Sequence, residues 1–400
     1  MHALDYWLGV PLCALLSVVE RLRSLLAPRR ANPPGRMLLI ELSEMGSVVI
    51  AYAAMVEAVE RLGTDNVWFL TFERNRDGVA VLGLLPERQI LTVSDRSIGA
   101  FIRDVMRLYL RCRRERIDTA VDLELFSRCT ALLTWLSGAR IRSGMSAYRN
   151  EGLYRGRLFT HPVLYSPHHH MARAYRTLVQ AAFVPAPAGE PLLKAPIEQA
   201  MAPLPRAHAS ADVARRVDAL LLDVPSRSRL VFLNPDPGLL PQRAWPDAHF
   251  ATLARLVTDA CPDVTVAVVG VERARPQAER ILASVPAGRG LNLAGRTRTL
   301  ADLVALLDRG TALVTIDSGP AHFSGLTGIW RIVLFGPETP ALYSPVGSRL
   351  ETFHLNLPCS PCYSAANHRQ SPCTDNQCLS GISPHAVFER LHLGPLSSIG

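Results

Sequence analysis

The sequence of 400 residues contains a single lysine, Lys194, so nearly all of the positive charge behind its formal net charge of +8 is arginine. It shows no internal repeat with a period of about 20 to 50 residues, which argues against a solenoid. No G-x-G-x-x-G segment follows the first strand of either predicted domain, which argues against a dinucleotide-dependent oxidoreductase. What remains is a basic globular chain, long enough for two domains, that suits anionic partners such as nucleotides or a membrane surface. Positive charge alone does not indicate nucleic-acid binding, and we expect no nucleic acid among these partners.

Residues 1–36 differ from the rest of the chain. Residues 6–19 carry no charge, but they are fewer than the roughly 20 residues that a membrane-spanning helix requires. Apolar side chains recur on one helical face, at Leu12, Leu15, Leu16, Val19 and Leu22. Arginines follow, so we expect an amphipathic helix lying on a membrane and then a linker; the alternative is a helix packed on the protein's own surface. Since no basic residues precede the apolar run, as they do in a signal peptide, we expect a cytoplasmic protein, peripheral on the inner face of the cytoplasmic membrane.

From residue 37 onward, strand-like apolar runs alternate with helical segments, which predicts parallel α/β domains. The predicted strands are residues 37–42, 67–72, 89–93, 119–125 and 140–145, then 230–234, 264–270, 291–294, 313–317 and 331–335. A proline-rich stretch at 185–205 separates the two series, so we predict domains at 37–190 and 206–385 and a tail at 386–400. Doubly wound sheets of this kind bind their ligands at the carboxyl ends of the strands.

The second domain contains a strand-to-helix joint with the features of an anion site. A strand ends in Asp317, a turn of small residues follows, and a helix opens with His322. Backbone N–H groups at a helix start bind phosphate oxygens, so a nucleotide diphosphate fits here. The candidate donor-binding residues of the joint are Asp317, Ser318, Gly319, Pro320 and His322. The alternative is an ordinary joint in which Asp317 caps the helix.

Two further residues point to the same crevice. Arg243 follows a long loop just before a helix, where its guanidinium would face the donor phosphates and stabilise a leaving diphosphate. Glu272 lies just beyond the strand at 264–270, where a carboxylate commonly binds a ribose hydroxyl. The alternative for Arg243 is a solvated arginine.

The order of these pieces resembles glycosyltransferase family 9, the lipopolysaccharide heptosyltransferases. The likeness covers about residues 37–390 and rests on the motifs Arg243-Ala-Trp-Pro, Asp317-Ser-Gly-Pro-Ala-His, Leu334-Phe-Gly-Pro, Val121-Asp-Leu and Leu136-Ser-Gly-Ala-Arg. It implies a GT-B fold, in which two Rossmann-like doubly wound domains face a central cleft. It also implies an inverting transfer of a sugar, such as heptose from ADP-heptose, from a nucleotide-diphospho donor to a membrane glycolipid or lipopolysaccharide-type acceptor. Arg243 stands where a donor-phosphate lysine is usual, and we expect no cofactor for catalysis.

The first loop departs from the family pattern at the position of the proposed catalytic base. The family usually carries Ser-x-x-Gly-Asp, whereas this chain has Ser43-Glu-Met-Gly-Ser47. Serine is a poor base, so Glu44 is the nearest group that could accept the proton of the acceptor hydroxyl, Glu41 being expected inside the strand. The alternatives are a catalytically impaired pseudo-transferase that binds nucleotide sugar, and a nucleotide-sugar epimerase of the same fold.

Four cysteines cluster towards the C-terminus, at Cys359, Cys362, Cys373 and Cys378. Four thiolates at this spacing could hold a structural zinc ion. An iron–sulfur cluster, two disulfides and simple thiols are the alternatives.

A basic, glycine-containing stretch in the first domain is the candidate acceptor contact. Its arginines include Arg142 and Arg149, which could bind an anionic glycolipid. A solvated loop is the alternative.

Overall fold

The computed structural model describes residues 2–26, 33–146, 153–185, 202–238, 240–367 and 369–393. The chain divides into two compact units, Met1–Pro203 with Ala365–Arg369, and Leu204–Ser364 with Gln370–Gly400. Each unit is built around a parallel six-stranded sheet with the strand order of a doubly wound fold, so the predicted α/β class is confirmed. No helix in the described part of the chain is both long and apolar enough to cross a membrane.

The strands of the first unit are β1 (Met37–Ile40), β2 (Val67–Phe72), β3 (Ile90–Val93), β4 (Thr119–Asp122), β5 (Ile141–Met145) and β6 (His161–Val163). They lie in the order β3-β2-β1-β4-β5-β6. The helices are α1 (His2–Trp7), α2 (Gly9–Leu26), α3 (Met45–Ile50), α4 (Tyr52–Leu62), α5 (Arg76–Ala80), α6 (Ile98–Arg114), α7 (Arg128–Leu136) and α8 (Met171–Ala182). Every residue of β1, β2 and β4 is buried, as expected for central strands of a parallel sheet that is covered on both faces.

The strands of the second unit are β7 (Arg229–Asn234), β8 (Val264–Val268), β9 (Gly290–Asn292), β10 (Ala312–Ile316), β11 (Trp330–Phe335) and β12 (Leu350–His354). Their order is β12-β11-β10-β7-β8-β9. The helices are α9 (Ala211–Leu220), α10 (Asp247–Ala260), α11 (Arg275–Leu282), α12 (Leu300–Leu307), α13 (Gly319–Phe323), α14 (Pro340–Tyr343), α15 (Gln377–Ser380) and α16 (Pro384–Glu389).

Two of the four edge strands, β6 and β12, were not predicted. β6 contains a proline, and β12 mixes polar with apolar residues, so neither gives the continuous apolar run of a central strand. Residues 386–391, which we predicted as the start of a tail, instead continue the second unit. α16 packs against α10, and Val387 and Leu391 lie in the core of that unit.

The helices α1 and α2 are packed on the first unit through polar contacts. The Asp5 carboxylate accepts the backbone N–H of Arg128 at the start of α7 and pairs with the Arg128 guanidinium at 3.1 Å. Glu20 is buried, where one carboxylate oxygen lies 2.6 Å from Arg142 Nη2 and the other accepts from Trp135 Nε1 at 3.0 Å. These helices are therefore part of the unit, as the alternative interpretation of residues 1–36 held.

The outer face of α2 is apolar even though its inner face carries the polar contacts. The inner face is in close contact with Gly156, where an added Cβ would lie 2.6 Å from the carbonyl oxygen of Cys13. The outer face exposes a row of large apolar side chains, here called the α2 row, at Leu12, Leu15, Val18, Leu22 and Leu25. Three of the five residues of the predicted apolar face, Leu12, Leu15 and Leu22, belong to this row, whereas Leu16 packs towards the protein.

Arg142→Met should destabilise the first unit. The substitution leaves the Glu20 carboxylate buried without its cationic partner, and breaking a buried ion pair from one side costs about 3–5 kcal/mol. The control is Arg309→Met, which breaks an exposed pair with Asp218 (2.8 Å) and should cost less than about 1 kcal/mol. Urea unfolding followed by circular dichroism measures both, and equal effects would contradict the structural role of Arg142.

Candidate active site

The second unit places a row of polar residues along one edge of its sheet. Because the six strands are parallel, their carboxyl ends lie at the same edge. Following the order β11, β10, β7, β8, the residues at or just beyond these ends are Glu338, Asp317, Asn234 and Glu272. Glu338 was not predicted, although it directly follows the motif Leu334-Phe-Gly-Pro.

Arg243 lies at this edge and is shared by two buried carboxylates. It ends a short 3-10 turn, Pro241–Arg243. Its Nη2 is 3.1 Å from Glu338 Oε1 and 3.3 Å from Asp317 Oδ2, and its Nη1 donates to the Asp317 carbonyl oxygen at 3.4 Å. Within the described part of the chain, the buried Nε–H of Arg243 has no hydrogen-bond acceptor. A ligand or a water molecule can complete a buried donor of this kind, and similar Nε–H groups occur at Arg111 and Arg155.

Burial and mutual repulsion shift the titration of these groups. Burial raises the pKa of Asp317, with Arg243 opposing the shift. Burial and then the Asp317 charge raise the pKa of Glu338 to about 8, again against Arg243. Burial alone would lower the pKa of Arg243, but the two carboxylates outweigh it and the net shift is upward. At neutral pH Glu338 is therefore protonated, and one guanidinium does not have to balance two charged acids.

Side-chain hydrogen bonds hold the joint that follows β10. Asn234 Nδ2 donates to Thr315 Oγ1 and to Ser318 Oγ, each at 3.0 Å. His322 is buried, with its Nε2 4.0 Å from Asp317 Oδ1. The joint that carries the predicted donor residues is thus adjacent to Arg243, because its first residue, Asp317, contacts the guanidinium.

Gly319 and Pro320 open α13, as predicted, but the helix is shorter than the anion-site argument assumed. It has five residues, so its dipole is small. An anion at this joint would depend on backbone N–H groups of the turn and on the Arg243 guanidinium.

Glu272 lies beyond β8 and is exposed. Its Oε1 is 3.6 Å from Arg275 Nη1, and its side chain is 70% exposed. It packs on the turn after β9, where Gly295 has a φ of +74° and an added Cβ would overlap the Glu272 carboxylate. The carboxylate is therefore open to a hydroxyl group, as the ribose prediction requires.

In the first unit, Glu44 lies in the loop after β1 and contacts an arginine. Its carboxylate makes no capping hydrogen bond to α3 and pairs with the guanidinium of Arg369, which belongs to the segment Ala365–Arg369 of the same unit. Ser47 is buried, and its Oγ is 3.4 Å from Glu44 Oε2, which is long for a hydrogen bond. Of the two residues, Glu44 is therefore the one with an accessible basic atom.

Three more carboxylates, none of them a predicted site residue, adjoin this loop. Glu124 accepts two backbone N–H groups of the loop at 2.9 and 2.6 Å. Asp122 ends β4 and pairs with the buried Arg155. Glu41 is buried, and burial together with Glu124 and Asp122 raises its pKa well above the ordinary value. Because β1 and β4 are neighbours, both acidic ends share one sheet edge, a proximity that the strand order predicts.

Arg142 is not placed to bind an acceptor. Its guanidinium is buried and donates to the carbonyl oxygens of Leu158 and Ala139 besides pairing with Glu20. Linear sequence had grouped it with the other arginines of a basic stretch, whereas its position in β5 turns it towards α2. Arg149 lies outside the described residues.

The four clustered cysteines are near one another without forming a ready metal site. Burial raises the pKa of Cys378 to about 11, and nearby Cys362, Cys373 and Cys359 add to the shift. Among the residues that the structure describes, no three His, Cys, Asp or Glu side chains are arranged to hold a metal ion.

Glu338 should make stability depend on pH. The folded chain keeps the Glu338 proton up to about pH 8, whereas the unfolded chain releases it near 4.5. Between these values the unfolded state binds fewer protons, so the free energy of unfolding falls as pH rises, by up to about 1.4 kcal/mol per pH unit for one group.

Glu338→Gln should remove this contribution, leaving a smaller slope from Asp317 and Glu41. Urea unfolding at several pH values across the window measures the slope, with the exposed Glu279→Gln as the control. A slope that Glu338→Gln leaves unchanged would contradict the protonated state of Glu338.

The family model described as glycosyltransferase family 9 (heptosyltransferase) matches residues 105–371, which is more than half of the chain. Lipooligosaccharide heptosyltransferase 2 of Haemophilus influenzae is 33% identical over 119 residues, which cover 29% of this chain and 33% of that protein. The chain spans between a third and a half of the length of the curated relatives that it matches.

Two solved structures share the fold. The glycosyltransferase family 9 protein of Veillonella parvula matches with a TM-score of 0.68 and 16% identity, covering 91% of this chain and 97% of that one. The ADP-heptose lipopolysaccharide heptosyltransferase II of Escherichia coli matches with a TM-score of 0.63 and 20% identity, covering 88% and 96%. These likenesses confirm the predicted GT-B class, and with the family match they support one conclusion. The chain belongs to glycosyltransferase family 9.

Proposed function

We propose that this protein is an inverting glycosyltransferase that transfers a sugar from a nucleotide-diphospho donor. The observation that carries the proposal is Arg243, a partly buried cation at the carboxyl ends of β10 and β11 whose buried Nε–H has no acceptor among the described residues. Membership of family 9 supports the reaction class, and the E. coli structure named for ADP-heptose supports ADP-heptose as the donor to test first.

In the proposed donor site, the diphosphate binds to the Arg243 guanidinium and to the turn at Ser318. The negative charge that grows on the leaving diphosphate would then face a preorganised cation in a partly buried site, which is how such groups lower a barrier. Protonation of Glu338 favours this step, because a neutral acid competes less with phosphate for Arg243. Glu272 would hold a ribose hydroxyl.

In the proposed acceptor site, Glu44 accepts the proton of the attacking hydroxyl. Direct displacement at the anomeric carbon requires such a base, and Glu44 has a carboxylate that is not used in helix capping. Glu44 pairs with Arg369, so an acceptor hydroxyl would have to displace or share that arginine to reach the carboxylate.

The proposed acceptor is a membrane glycolipid of the lipopolysaccharide type, met at the inner face of the cytoplasmic membrane. The α2 row supports this part of the proposal, since a helix that exposes large apolar side chains suits the interfacial region of a bilayer. Arg142 has no part in acceptor binding, because its guanidinium is buried against Glu20.

We also propose that Cys359, Cys362, Cys373 and Cys378 hold one structural zinc ion. Their spacing in the sequence supports this, and Cys362, Cys373 and Cys359 are close enough to add to the raised pKa of Cys378. Zinc would draw them into tetrahedral geometry and release their protons.

Arg243→Ala should weaken ADP-heptose binding by about 1.5–3 kcal/mol, the range for a charge-assisted hydrogen bond. Glu338→Gln should not weaken it, because glutamine is neutral like the protonated acid that it replaces. Isothermal titration measures both, with the exposed Arg215→Ala as the control. Unchanged affinity in Arg243→Ala would exclude this donor site.

Incubation with donor alone separates a transferase from an epimerase, since an epimerase would convert the donor and a transferase would need an acceptor.

Glu44→Gln should lower turnover by about 100- to 10,000-fold with donor binding retained, since general-base catalysis contributes that much. The control is Glu87→Gln, an exposed glutamate paired with Arg76. Glu41→Gln and Ser47→Asp are assayed beside it. Full activity in Glu44→Gln with loss in Glu41→Gln would assign the base to Glu41, and a gain in Ser47→Asp would indicate that this chain lacks an effective base.

Purified protein without a histidine tag should contain about one zinc per chain, given binding energies on the order of 10 kcal/mol or more for structural zinc sites. Elemental analysis measures zinc and iron together, and Cys362→Ser should lose the metal and lower the melting temperature. Absence of any metal, with all four thiols open to a thiol reagent, would contradict the proposal.

A further inference from the structure

The helix α6 exposes an apolar row that the proposed chemistry does not use. Its inner face is ordinary, with Leu108 and Cys112 buried against the first sheet. Its outer face carries four large apolar side chains at every fourth position, each more than half exposed, at Ile98, Ile102, Met106 and Leu110, here called the α6 row. A contiguous apolar row of this kind on a protein surface indicates an interaction site.

Arginines lie along one side of the α6 row, where Arg103, Arg107 and Arg111 each follow a residue of the row by one position. Residues 96–115 contain six arginines and two acidic residues. Arg103 and Arg107 share the single carboxylate of Asp104, each at 3.2 Å, while their own side chains remain mostly exposed. The surface is therefore cationic beside a narrow apolar row, a combination typical of helices that lie in the interface of an anionic membrane.

A groove of about 720 Å³ runs beside α6. It is bounded by Leu91 and Thr92 of the edge strand β3 and has two acids, Glu73 and Asp104, in its wall. Five arginines line it, namely Arg88, Arg96, Arg103, Arg107 and Arg111. All five are paired with a carboxylate: Arg88 with Asp65, Arg96 with Glu73, Arg111 with Glu115, and both Arg103 and Arg107 with Asp104. Five guanidinium groups thus meet four carboxylates, and the excess suits a phosphate, which arginine binds through two parallel hydrogen bonds.

The α6 row and the α2 row belong to the same helical layer of the first unit. Leu108 of α6 and Leu133 of α7 lie in one buried cluster on the same face of the sheet. α2 in turn packs on α7, where Leu16 meets Ala131 and Trp135. Two of the three neighbouring helices of this layer thus expose apolar rows.

We propose that α6 is a second membrane-binding element, which inserts the α6 row into the lipid interface and binds lipid phosphates with its arginines. The groove beside it receives one phosphate-bearing headgroup. The inference rests on the proposed membrane attachment through α2 and extends it, because two contacts fix the orientation of the first unit on the bilayer where one helix would leave it free to rotate. A protein partner would bury a wider apolar area and would need acids to match the arginines beside the row.

The test measures binding of the full-length protein to vesicles by sedimentation. Vesicles of phosphatidylcholine alone are compared with vesicles that also contain phosphatidylglycerol, at low and high salt. Arg103→Gln/Arg107→Gln should weaken binding to the anionic vesicles by about 25-fold at low salt, since each arginine near an anionic surface contributes about fivefold. The same variant should bind neutral vesicles as the unmodified chain does.

Apolar variants separate the two rows. Ile102→Ser/Met106→Ser should weaken binding to both kinds of vesicle, and a tryptophan in Leu110→Trp should be quenched by brominated lipids. Matched controls in the second unit are Leu222→Ser, Leu222→Trp and Arg255→Gln/Arg280→Gln, all at exposed positions and expected to behave as the unmodified chain. Circular dichroism and melting temperature establish that each variant is folded.

The outcomes distinguish this inference from the attachment on which it rests. If Leu15→Ser/Leu22→Ser loses vesicle binding while the α6 variants keep it, the second contact is wrong and attachment through α2 stands. If neither set changes binding, membrane attachment itself is wrong. If Ile102→Ser/Met106→Ser turns a dimer into a monomer and leaves vesicle binding unchanged, the α6 row is an interface between copies, and the proposal is overturned.

Discussion

The candidate active site depends on one guanidinium shared by two carboxylates. Arg243 reaches the ends of β10 and β11 and there meets Asp317 and Glu338. A buried cation without a partner would be costly, and two ionised acids beside one cation would repel each other. The raised pKa of Glu338 resolves this conflict, because a proton takes the place of the missing second cation. An incoming anion could therefore enter this site without first separating a fully charged triad.

An arginine at position 243 suits this arrangement better than a lysine would. A guanidinium offers five N–H groups in a planar fork, so it can serve two carboxylates and keep a further donor available, whereas a lysine ammonium is a single compact charge. In this chain the Nε–H of Arg243 is that further donor.

Local patterns predicted the central strands well and singled out Arg243 and Asp317, which the structure brings together, because both inferences depend on short stretches of sequence. The continuous apolar run at β2 was predicted with its observed bounds, and Arg243 and Asp317 were recognised from the motifs around them. The failures involve long-range contacts. Nothing near Arg142 in the sequence reveals that Glu20 will bury it, and Glu338 gains its role only when β11 aligns beside β10.

The polar contacts of α2 have a consequence for the order in which the chain folds. Glu20 and Arg142 are 122 residues apart, so at ordinary rates of synthesis the glutamate leaves the ribosome roughly ten seconds before its partner. During that interval the helix has no α7 or β5 to pack on, while its apolar row is already complete. A nascent chain would thus expose the α2 row for several seconds before the sheet that α2 packs on has formed.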